Sequence, residues 1–260
     1  MKIMTYNILE GGTGRIDPLA EVIRLAGADV VVVEEALGEG GEAGFHKLAD
    51  RLGMDRFLAQ GKGGAVGILS RLEIREAVNH SALDGRLRRG AVSAIVSEKS
   101  GVRSQKSVDH VVIGVHLSPG ELVENEEKRL MELEGLFGIG EVYRGREHVV
   151  VGDFNASHPL QRIDVAKVRP KTRERVMKQD GVFPREVVRK MLERGYVDAH
   201  ALHYTGEEFG CSFTTAYPAM RVDYVFVTAG LAPVVKGCEV FRPEMGRFAS
   251  DHYPVVCEIG

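Results

Sequence analysis

Short segments rich in valine and isoleucine recur along the whole chain, and they limit the folds that it can adopt. Each segment is bounded by glycine, serine, aspartate or proline, as is typical of β-strands. The segments cover residues 2–7, 29–35, 65–70, 90–96, 109–117, 147–155, 221–228 and 251–259. Strands spread over the whole chain predict a fold that is built around β-sheets.

Helical patterns separate some of these strands, at residues 17–28, 119–138 and 184–196. In the first of them, Asp17 is the predicted N-cap and Pro18 the first helical residue. The strand pairs 65–70 with 72–80 and 90–96 with 107–116 are predicted to form antiparallel hairpins. Because strands alternate partly with helices and partly with strands, we expect one α+β domain over residues 1–260, with two packed sheets.

Composition and cysteine usage restrict the class of protein further. Hydrophobic residues make up 44% and charged residues 27% of the 260 positions, an ordinary soluble composition. No apolar run approaches the roughly 18 residues of a membrane span, and the first residues lack a signal-peptide pattern. The three cysteines are odd in number and show no CxxC spacing, which favours reduced thiols over a disulfide framework or a zinc knuckle. We therefore expect a cytoplasmic monomer without membrane association.

Polar side chains stand at the ends of several predicted strands. The segment VVVGDFN, residues 149–155, ends in Asp153 and Asn155, which regular strand alternation would place on one face. The other strand-end residues are Asn7, Glu34, Glu35, His116, Asp223, Asp251 and His252. Charged residues are rarely buried unless they are paired, and these adjoin segments that should be interior. Carboxylates, carboxamides and histidines without a cysteine cluster suit a hard cation such as Mg²⁺ or Mn²⁺, which also binds substrate phosphate oxygens.

A set of motifs resembles the endonuclease/exonuclease/phosphatase superfamily, which includes deoxyribonuclease I. The motifs are TYN at 5–7, EE at 34–35, SR at 70–71, HL at 116–117, GDFN at 152–155, RVDYVFV at 221–227 and SDHYPV at 250–255. They occur in the order of that family and cover nearly the whole chain. The resemblance implies a four-layer α/β/β/α sandwich of two mixed sheets, with the site at one edge where strand ends and loops converge.

The resemblance also implies roles for individual residues. Glu35 matches the metal-binding glutamate of the family, and Asn7 and Asp251 match residues that flank the metal. The family usually has glutamine before that glutamate, where this chain has Glu34, so a second carboxylate lies near the metal or faces away. The expected cofactor is therefore Mg²⁺ or Mn²⁺.

The expected catalytic residues follow from the same motifs. Asp153 would orient or deprotonate the attacking water, and Asn155 would donate a hydrogen bond to a phosphate oxygen. His252 would contact the phosphate while Asp223 fixes its tautomer. His116 would support phosphate binding or protonate the leaving group. Both Asp153 and His252 remain candidates for the general base, and neighbours such as Asp251 and His252 can both reach the site only if the chain is still a loop there.

The substrate class depends on loops and charge. Residues 157–194 hold 11 lysines and arginines against 5 acidic residues, and this segment directly follows GDFN. The candidate substrate-binding residues are Arg71, Arg169, Lys171, Arg173 and Arg175. They fit a surface that follows the phosphates of a nucleic acid, although a solvated helix and structural ion pairs explain the same residues.

We expect a divalent-metal-dependent phosphodiesterase that acts on nucleic acid, as an endonuclease or exonuclease. The second possibility is a phosphatase or phosphodiesterase of a small phosphorylated metabolite or lipid head group, which the absence of tryptophan for base stacking favours. A non-catalytic binding module on the same fold is disfavoured by the intact set of polar residues.

Overall fold

The computed structural model describes residues 1–98, 108–204 and 210–260. Twelve strands and six helices cover these ranges. The first half contains β1 (Lys2–Asn7), α1 (Ile16–Ala26), β2 (Val30–Glu34), α2 (Ala43–Leu52), β3 (Asp55–Gly61), β4 (Gly64–Ser70), β5 (Glu73–Asn79), β6 (Ala91–Ser97), β7 (Asp109–His116) and α3 (Val123–Val142). The second half contains β8 (His148–Asp153), α4 (Pro170–Met177), α5 (Glu186–Glu193), β9 (Val197–Asp198), β10 (Asp223–Val227), β11 (Val235–Val240), α6 (Gly246–Ala249) and β12 (Val255–Ile259).

The strands form two six-stranded sheets, ordered β11–β12–β1–β2–β4–β3 and β5–β6–β7–β8–β10–β9. Both sheets are mixed, because β1 pairs with β2 and β7 with β8 in parallel while the other pairs are antiparallel. The sheets bury an aliphatic layer between them, which includes Val32, Val66, Val112, Val151 and Val225. The four-layer α/β/β/α fold expected from the motifs is therefore confirmed.

Helices cover the outer faces of both sheets. Helices α1 and α2 bury Leu19, Ile23 and Phe45 against the first sheet, in a cluster that also contains Tyr6. Helices α3 and α5 bury apolar side chains such as Leu133 and Met191 against the second sheet. With both faces of each sheet covered, the central strands are apolar on both sides, which explains their continuous valine-rich sequences.

Two local predictions are wrong. Segments 65–70 and 72–80 do not form a hairpin, because β4 is paired on both sides, by β2 and β3, and offers no edge to β5. The chain crosses at Arg71 and Leu72 to the other sheet, where β5 pairs with β6. Asp17 is not an N-cap and Pro18 is not the first helical residue: α1 begins at Ile16, and the Asp17 carboxylate lies in the first turn, 2.7 Å from Arg51. The predicted pairing of residues 90–96 with the following strand is confirmed as β6 with β7.

Strand alternation positions the polar strand ends. Along each central strand, every second side chain faces the layer between the sheets, and these inner rows are mostly aliphatic but have a polar residue at one terminus. That terminal member is the last residue of β1 (Asn7), β2 (Glu34), β7 (His116) and β8 (Asp153), and the first residue of the antiparallel strand β10 (Asp223). The same edge of the sandwich therefore collects five buried polar side chains. None of the helices in the described part of the chain has both the length and the apolar character that a bilayer-spanning helix requires.

Candidate active site

Asp153 lies at the centre of this polar edge. It is in register with His116 of β7 on one side and with Asp223 of β10 on the other. Its Oδ2 accepts a hydrogen bond of 3.1 Å from Asn7 Nδ2 and lies 3.5 Å from His116 Nε2 and 3.9 Å from His252 Nε2. One buried carboxylate thus links both sheets and both histidines of the site.

The glycine of GDFN is required by the close approach of β7 and β8. A Cβ atom on Gly152 would lie 1.9 Å from the carbonyl oxygen of Val115, so any other residue would push the two strands apart. Because these strands carry His116 and Asp153 at their ends, Gly152 helps to set the spacing between those two side chains.

Asn155 reaches the same centre through a turn of the backbone. Its φ of 49° is left-handed, a conformation that asparagine tolerates better than most residues. The Asn155 backbone N–H donates to Asp153 Oδ1 at 2.9 Å, and its Nδ2 donates to the Leu117 carbonyl at 3.1 Å, while lying 3.3 Å from His116 Nε2. Asp153 and Asn155 do converge, but β8 ends at Asp153, so regular strand alternation is not the cause.

His252 is held by Asp223 in a buried pair. Its Nδ1 lies 2.9 Å from Asp223 Oδ2. Burial alone would lower the pKa of His252, but the charge and hydrogen bond of Asp223, together with the charges of Asp153 and Asp251, raise the pKa to about 10. His252 is therefore an imidazolium at neutral pH, with Nε2–H directed to the side of Asp153.

His116 is in the opposite protonation state. Burial, with the positive charges of Arg89 and His252, lowers its pKa well below 6.5. Arg89 Nε lies 3.5 Å from His116 Nδ1, which makes Nδ1 the acceptor and places the ring proton on Nε2. The two histidines on either side of Asp153 are thus one neutral ring and one cation.

A second group of side chains lies at the rim of the site. Glu35 directly follows β2 with a left-handed φ of 54°, so it leaves the strand pattern; its side chain is 24% exposed, and its Oε1 lies 3.3 Å from Arg89 Nη2. Asp251 and His252 precede β12, which begins at Val255, so both lie in a loop. This resolves the difficulty that neighbouring strand residues face opposite sides.

Several carboxylate oxygens at this edge lack a partner. Within the described ranges, Glu34 Oε2, Asp223 Oδ1 and Asp251 Oδ1 are buried and accept no hydrogen bond. Ligand atoms of Asp153, Asp223 and His252 also lie within 4.8 Å of one another. Buried, unpartnered oxygens with several negative charges match the donor set that a hard divalent cation needs.

The structure places only some of the predicted substrate-binding residues near the site. Arg71 does not lie at the site: it follows Ser70, which pairs with Val30 at the opposite end of β2 from Glu34, and its Nε donates to the Ala28 carbonyl. Arg169 and Arg175 are near the site, since both line a cavity that also contacts Asn155. Lys171 and Arg173 are exposed on α4.

Nearly the whole chain matches the sequence profile of one protein family. The profile described as the Endonuclease/Exonuclease/phosphatase family matches residues 4–252. The chain belongs to this family. Enzymes of the family hydrolyse phosphoester bonds and generally use divalent metals, and the site holds candidate ligands for such an ion.

Solved structures share the fold at low sequence identity. One is the 3'-5' exonuclease NExo from Neisseria meningitidis, with 20% identity and a TM-score of 0.71 over 100% of this chain and 99% of the other. Another describes the 3' phosphatase NExo from Neisseria bound to a product DNA hairpin, with 21% identity, a TM-score of 0.71 and the same coverage. A third is an AP endonuclease from Archaeoglobus fulgidus, with 20% identity, a TM-score of 0.70 and the same coverage. Among curated protein sequences, none matches this chain.

Two members of the site were not among the residues predicted for it. Arg89 bridges Glu35 and His116, and in the sequence it stands out only as one of three arginines, with Arg86 and Arg88, just before the buried strand β6. Phe213 lies against His252, with ring centroids 4.6 Å apart, and no local pattern marks it. Both enter the site through loops, whose paths strand periodicity does not define.

Proposed function

We propose that this protein is a divalent-metal-dependent phosphodiesterase that acts on nucleic acid. The observation that carries the proposal is the arrangement around Asp153: a buried carboxylate lies between a neutral histidine and a cationic one, at an edge with unpartnered carboxylate oxygens. Hydrolysis of a phosphodiester requires a proton acceptor for water and positive charge near the phosphoryl oxygens. The site offers both.

The protonation states assign the roles. His252 already carries its proton, so it stabilises negative charge on the phosphate rather than accepting a proton from water. Burial and the nearby charge of Asp223 raise the pKa of Asp153, which makes this carboxylate a better base than an exposed aspartate. We therefore assign Asp153 as the general base. Asn155 donates a hydrogen bond to a phosphate oxygen, and neutral His116 interacts with the leaving group.

The divalent ion would be held by Glu35, Asn7 and Asp251, with Mg²⁺ or Mn²⁺ as the expected ions. When bound, it would polarise the phosphoryl group and stabilise the leaving oxygen. The triad of Asp153, Asp223 and His252 is the weaker candidate, because His252 Nδ1 is engaged by Asp223 and the ring is cationic, whereas a metal ligand must be a neutral imidazole. The reduced cytoplasmic setting, the monomeric state and the single domain over residues 1–260 remain predictions.

Nucleic acid is favoured as the substrate by the basic segment that follows GDFN and by the structural neighbours, which include two nucleases and a phosphatase bound to a product DNA hairpin. The second candidate is a small phosphorylated metabolite or lipid head group, favoured by the lack of tryptophan.

A substrate screen tests the proposal. Purified protein with Mg²⁺ or Mn²⁺ is incubated with double- and single-stranded DNA, RNA, abasic DNA, inositol phosphates and bis-p-nitrophenyl phosphate. The Asp153→Asn variant and excess EDTA serve as blanks. Metal-dependent cleavage of a nucleic acid that both blanks abolish supports the proposal. Turnover confined to inositol phosphates would show that the substrate is a small phosphorylated metabolite and not a nucleic acid. Inactivity on every phosphoester would refute both candidate functions.

A further inference from the structure

Tyr224, the residue after Asp223 on β10, contacts both residues that flank Asn155. Its ring meets the ring of Phe154 edge to face, with the centroids 5.7 Å apart. Its hydroxyl donates a hydrogen bond of 3.0 Å to the carbonyl oxygen of Ala156. Since Phe154 and Ala156 are the chain neighbours of Asn155, one side chain holds the turn that follows β8 at two points.

The ring contact belongs to a buried aromatic cluster on the outer face of the second sheet. Phe226 stacks on Tyr224, with centroids 5.2 Å apart, and meets Phe154 edge to face at 5.0 Å. All three rings are fully buried. The backbone N–H of Phe154 also donates to the Val222 carbonyl at 2.9 Å. The turn after β8 is therefore fixed to β10 by a packed cluster and by a backbone hydrogen bond.

The conformation of Asn155 needs this support. Its left-handed φ of 49° costs free energy for any residue except glycine, and such a conformation persists only where the surrounding contacts enforce it. The same conformation brings Asn155 Nδ2 to 3.1 Å from the Leu117 carbonyl oxygen and to 3.3 Å from His116 Nε2. The position of the carboxamide in the site thus depends on contacts that hold the backbone on either side of it.

A buried ion pair holds Tyr224 from the side of β9. The guanidinium carbon of Arg221 lies 4.2 Å from the centroid of the Tyr224 ring, within the range of a cation–π contact. Arg221 Nη1 donates to Asp198 Oδ1 at 3.2 Å, and Nη2 donates to Oδ2. The Tyr224 hydroxyl shares its proton between the carbonyl oxygens of Ala156 and Arg221, the second at 3.1 Å. Burial raises the pKa of Tyr224, although the charge of Arg221 lowers it, so the hydroxyl remains a donor.

We infer that Tyr224 is a positioning residue for the reaction, and that it fixes the turn after Asp153 so that the Asn155 carboxamide meets the phosphate. This inference rests on the proposed function, in which Asn155 donates a hydrogen bond to a phosphate oxygen. Tyr224 is fully buried, so it acts through Phe154 and Ala156 and not by contact with the substrate. A displaced donor is missed most where negative charge develops, in the transition state, so its loss lowers kcat more than it changes KM.

The test compares two variants that each lose one tyrosine hydroxyl. Tyr224→Phe keeps the ring and its stacking. Tyr196→Phe is the matched control, because the Tyr196 hydroxyl lies 2.8 Å from His148 Nε2, at the opposite end of β8 from Asp153.

We expect Tyr224→Phe to lower kcat for bis-p-nitrophenyl phosphate by about tenfold, less than the ~10²–10³-fold cost of removing such a donor. KM should stay nearly constant, and Tyr196→Phe should leave both constants unchanged. Thermal melts verify the fold of both variants. An unchanged kcat in folded Tyr224→Phe, or an equal loss in the two variants, would overturn the inference.

A double variant tests whether Tyr224 acts through Asn155. Once Asn155→Ala has removed the carboxamide, the further change Tyr224→Phe should not slow turnover again, because residues that act as one unit are not additive. A general weakening of the fold would instead multiply the two effects. A double variant that is slower than Asn155→Ala by the full factor seen for Tyr224→Phe alone would contradict the inference.

A measurement without substrate separates this inference from the proposed function. The NMR signal of the Asn155 side-chain amide is assigned by its disappearance in Asn155→Ala. We expect it to shift in Tyr224→Phe and to stay in place in Tyr196→Phe. An unchanged signal in both variants would refute the positioning of Asn155 by Tyr224. If the wild-type protein cuts no phosphoester, the proposed function fails, whereas a shift confined to Tyr224→Phe would still support the positioning contact.

Discussion

The 2.9 Å contact between His252 Nδ1 and Asp223 Oδ2 joins the loop before β12 to β10 and keeps His252 protonated. The pair is buried, so neither partner is screened by solvent. With Asp153 on the other side of the ring, the contact decides which group can accept a proton at neutral pH.

Replacing Asp223 by asparagine should change the titration of His252. In the wild-type protein the raised pKa means that the imidazolium stabilises the fold fully below about pH 6.5, and this stabilisation is lost only as the pH rises towards 10. Without the Asp223 carboxylate, burial dominates and the pKa falls. We expect an NMR titration to show neutral His252 at pH 8 in the variant, and turnover to decline above about pH 7. A His252 ring that stays protonated at pH 8 in the variant would contradict this account.

The acid–base assignment predicts strong effects at two residues. Asp153→Asn and His252→Ala should each lower turnover by at least ~10²-fold, the usual scale for loss of acid–base help. Because both act in one step, the double variant should be less than multiplicatively worse. Steady-state kinetics on the substrate found in the screen, with circular dichroism as the fold control, provide the measurement. Normal turnover in either folded variant would place the chemistry elsewhere.

Binding of the divalent metal ion should require Glu35. EDTA should abolish activity, and Mg²⁺ or Mn²⁺ should restore it, since the site offers oxygen and amide donors that suit hard cations. We expect Glu35→Gln to weaken Mn²⁺ binding in calorimetry by at least tenfold before it changes the melting temperature. A matched control is Glu42→Gln, a charge removal at an exposed residue that precedes α2. Full activity in excess EDTA would refute metal dependence.

Glu34 should destabilise the metal-free protein at neutral and alkaline pH. Burial, followed by the charges of Asp223 and Asp153, raises its pKa well above 4.5, although a hydrogen bond of 2.7 Å from Thr5 and one from the backbone of Glu34 lower it. A raised carboxyl pKa means that stability is lost as the pH rises above 4.5 through the folded value. We expect Glu34→Gln to raise the free energy of unfolding of the metal-free protein at pH 8 by at least about 1 kcal/mol, slightly less than the equivalent of one pKa unit.

Urea unfolding at pH 4.5 and pH 8, with EDTA present, measures this effect. The increase in the free energy of unfolding that Glu34→Gln causes should be larger at pH 8 than at pH 4.5. An equal or smaller gain at pH 8 would show that the buried carboxyl finds a partner that the described residues do not provide.

The basic residues of α4, together with Arg169 just before it, should control the salt dependence of oligonucleotide binding. Lys171 and Arg173 are exposed, whereas Arg169 and Arg175 contact Glu121. Each phosphate contact that is lost should flatten the log–log salt slope by close to one unit. Neutralising all four should weaken binding, and we expect most of the slope change from Lys171 and Arg173.

Two comparisons control this experiment. Lys190→Ala removes a charge from α5, where the side chain pairs with Glu193, and should leave the slope unchanged. Turnover of bis-p-nitrophenyl phosphate should hardly change in the α4 variant. An equal loss of turnover on the oligonucleotide and on the small diester would mean that the basic residues around α4 have a structural role.

The sequence by itself determined the strands and the chemistry at their ends. Valine-rich runs bounded by turn residues located most of the central strands, because a strand between covered sheet faces is apolar on both sides. Asn7 and Asp153 ended two of those runs and Asp223 began another, and all three lie buried at the polar edge of the sandwich. These properties are local, so they can be read from neighbouring residues.

The tertiary structure decided which strands meet and where the loops lead. β4 and β5 follow each other closely yet belong to different sheets, because β4 already has neighbours on both sides. Arg71 lies at the wrong end of β2, whereas Arg89 and Phe213 reach the site from loops. The protonation states of His116 and His252 depend on burial and on charges from distant segments. Sheet order, loop paths and electrostatics arise from contacts between residues far apart in the chain, and a local pattern contains no information about them.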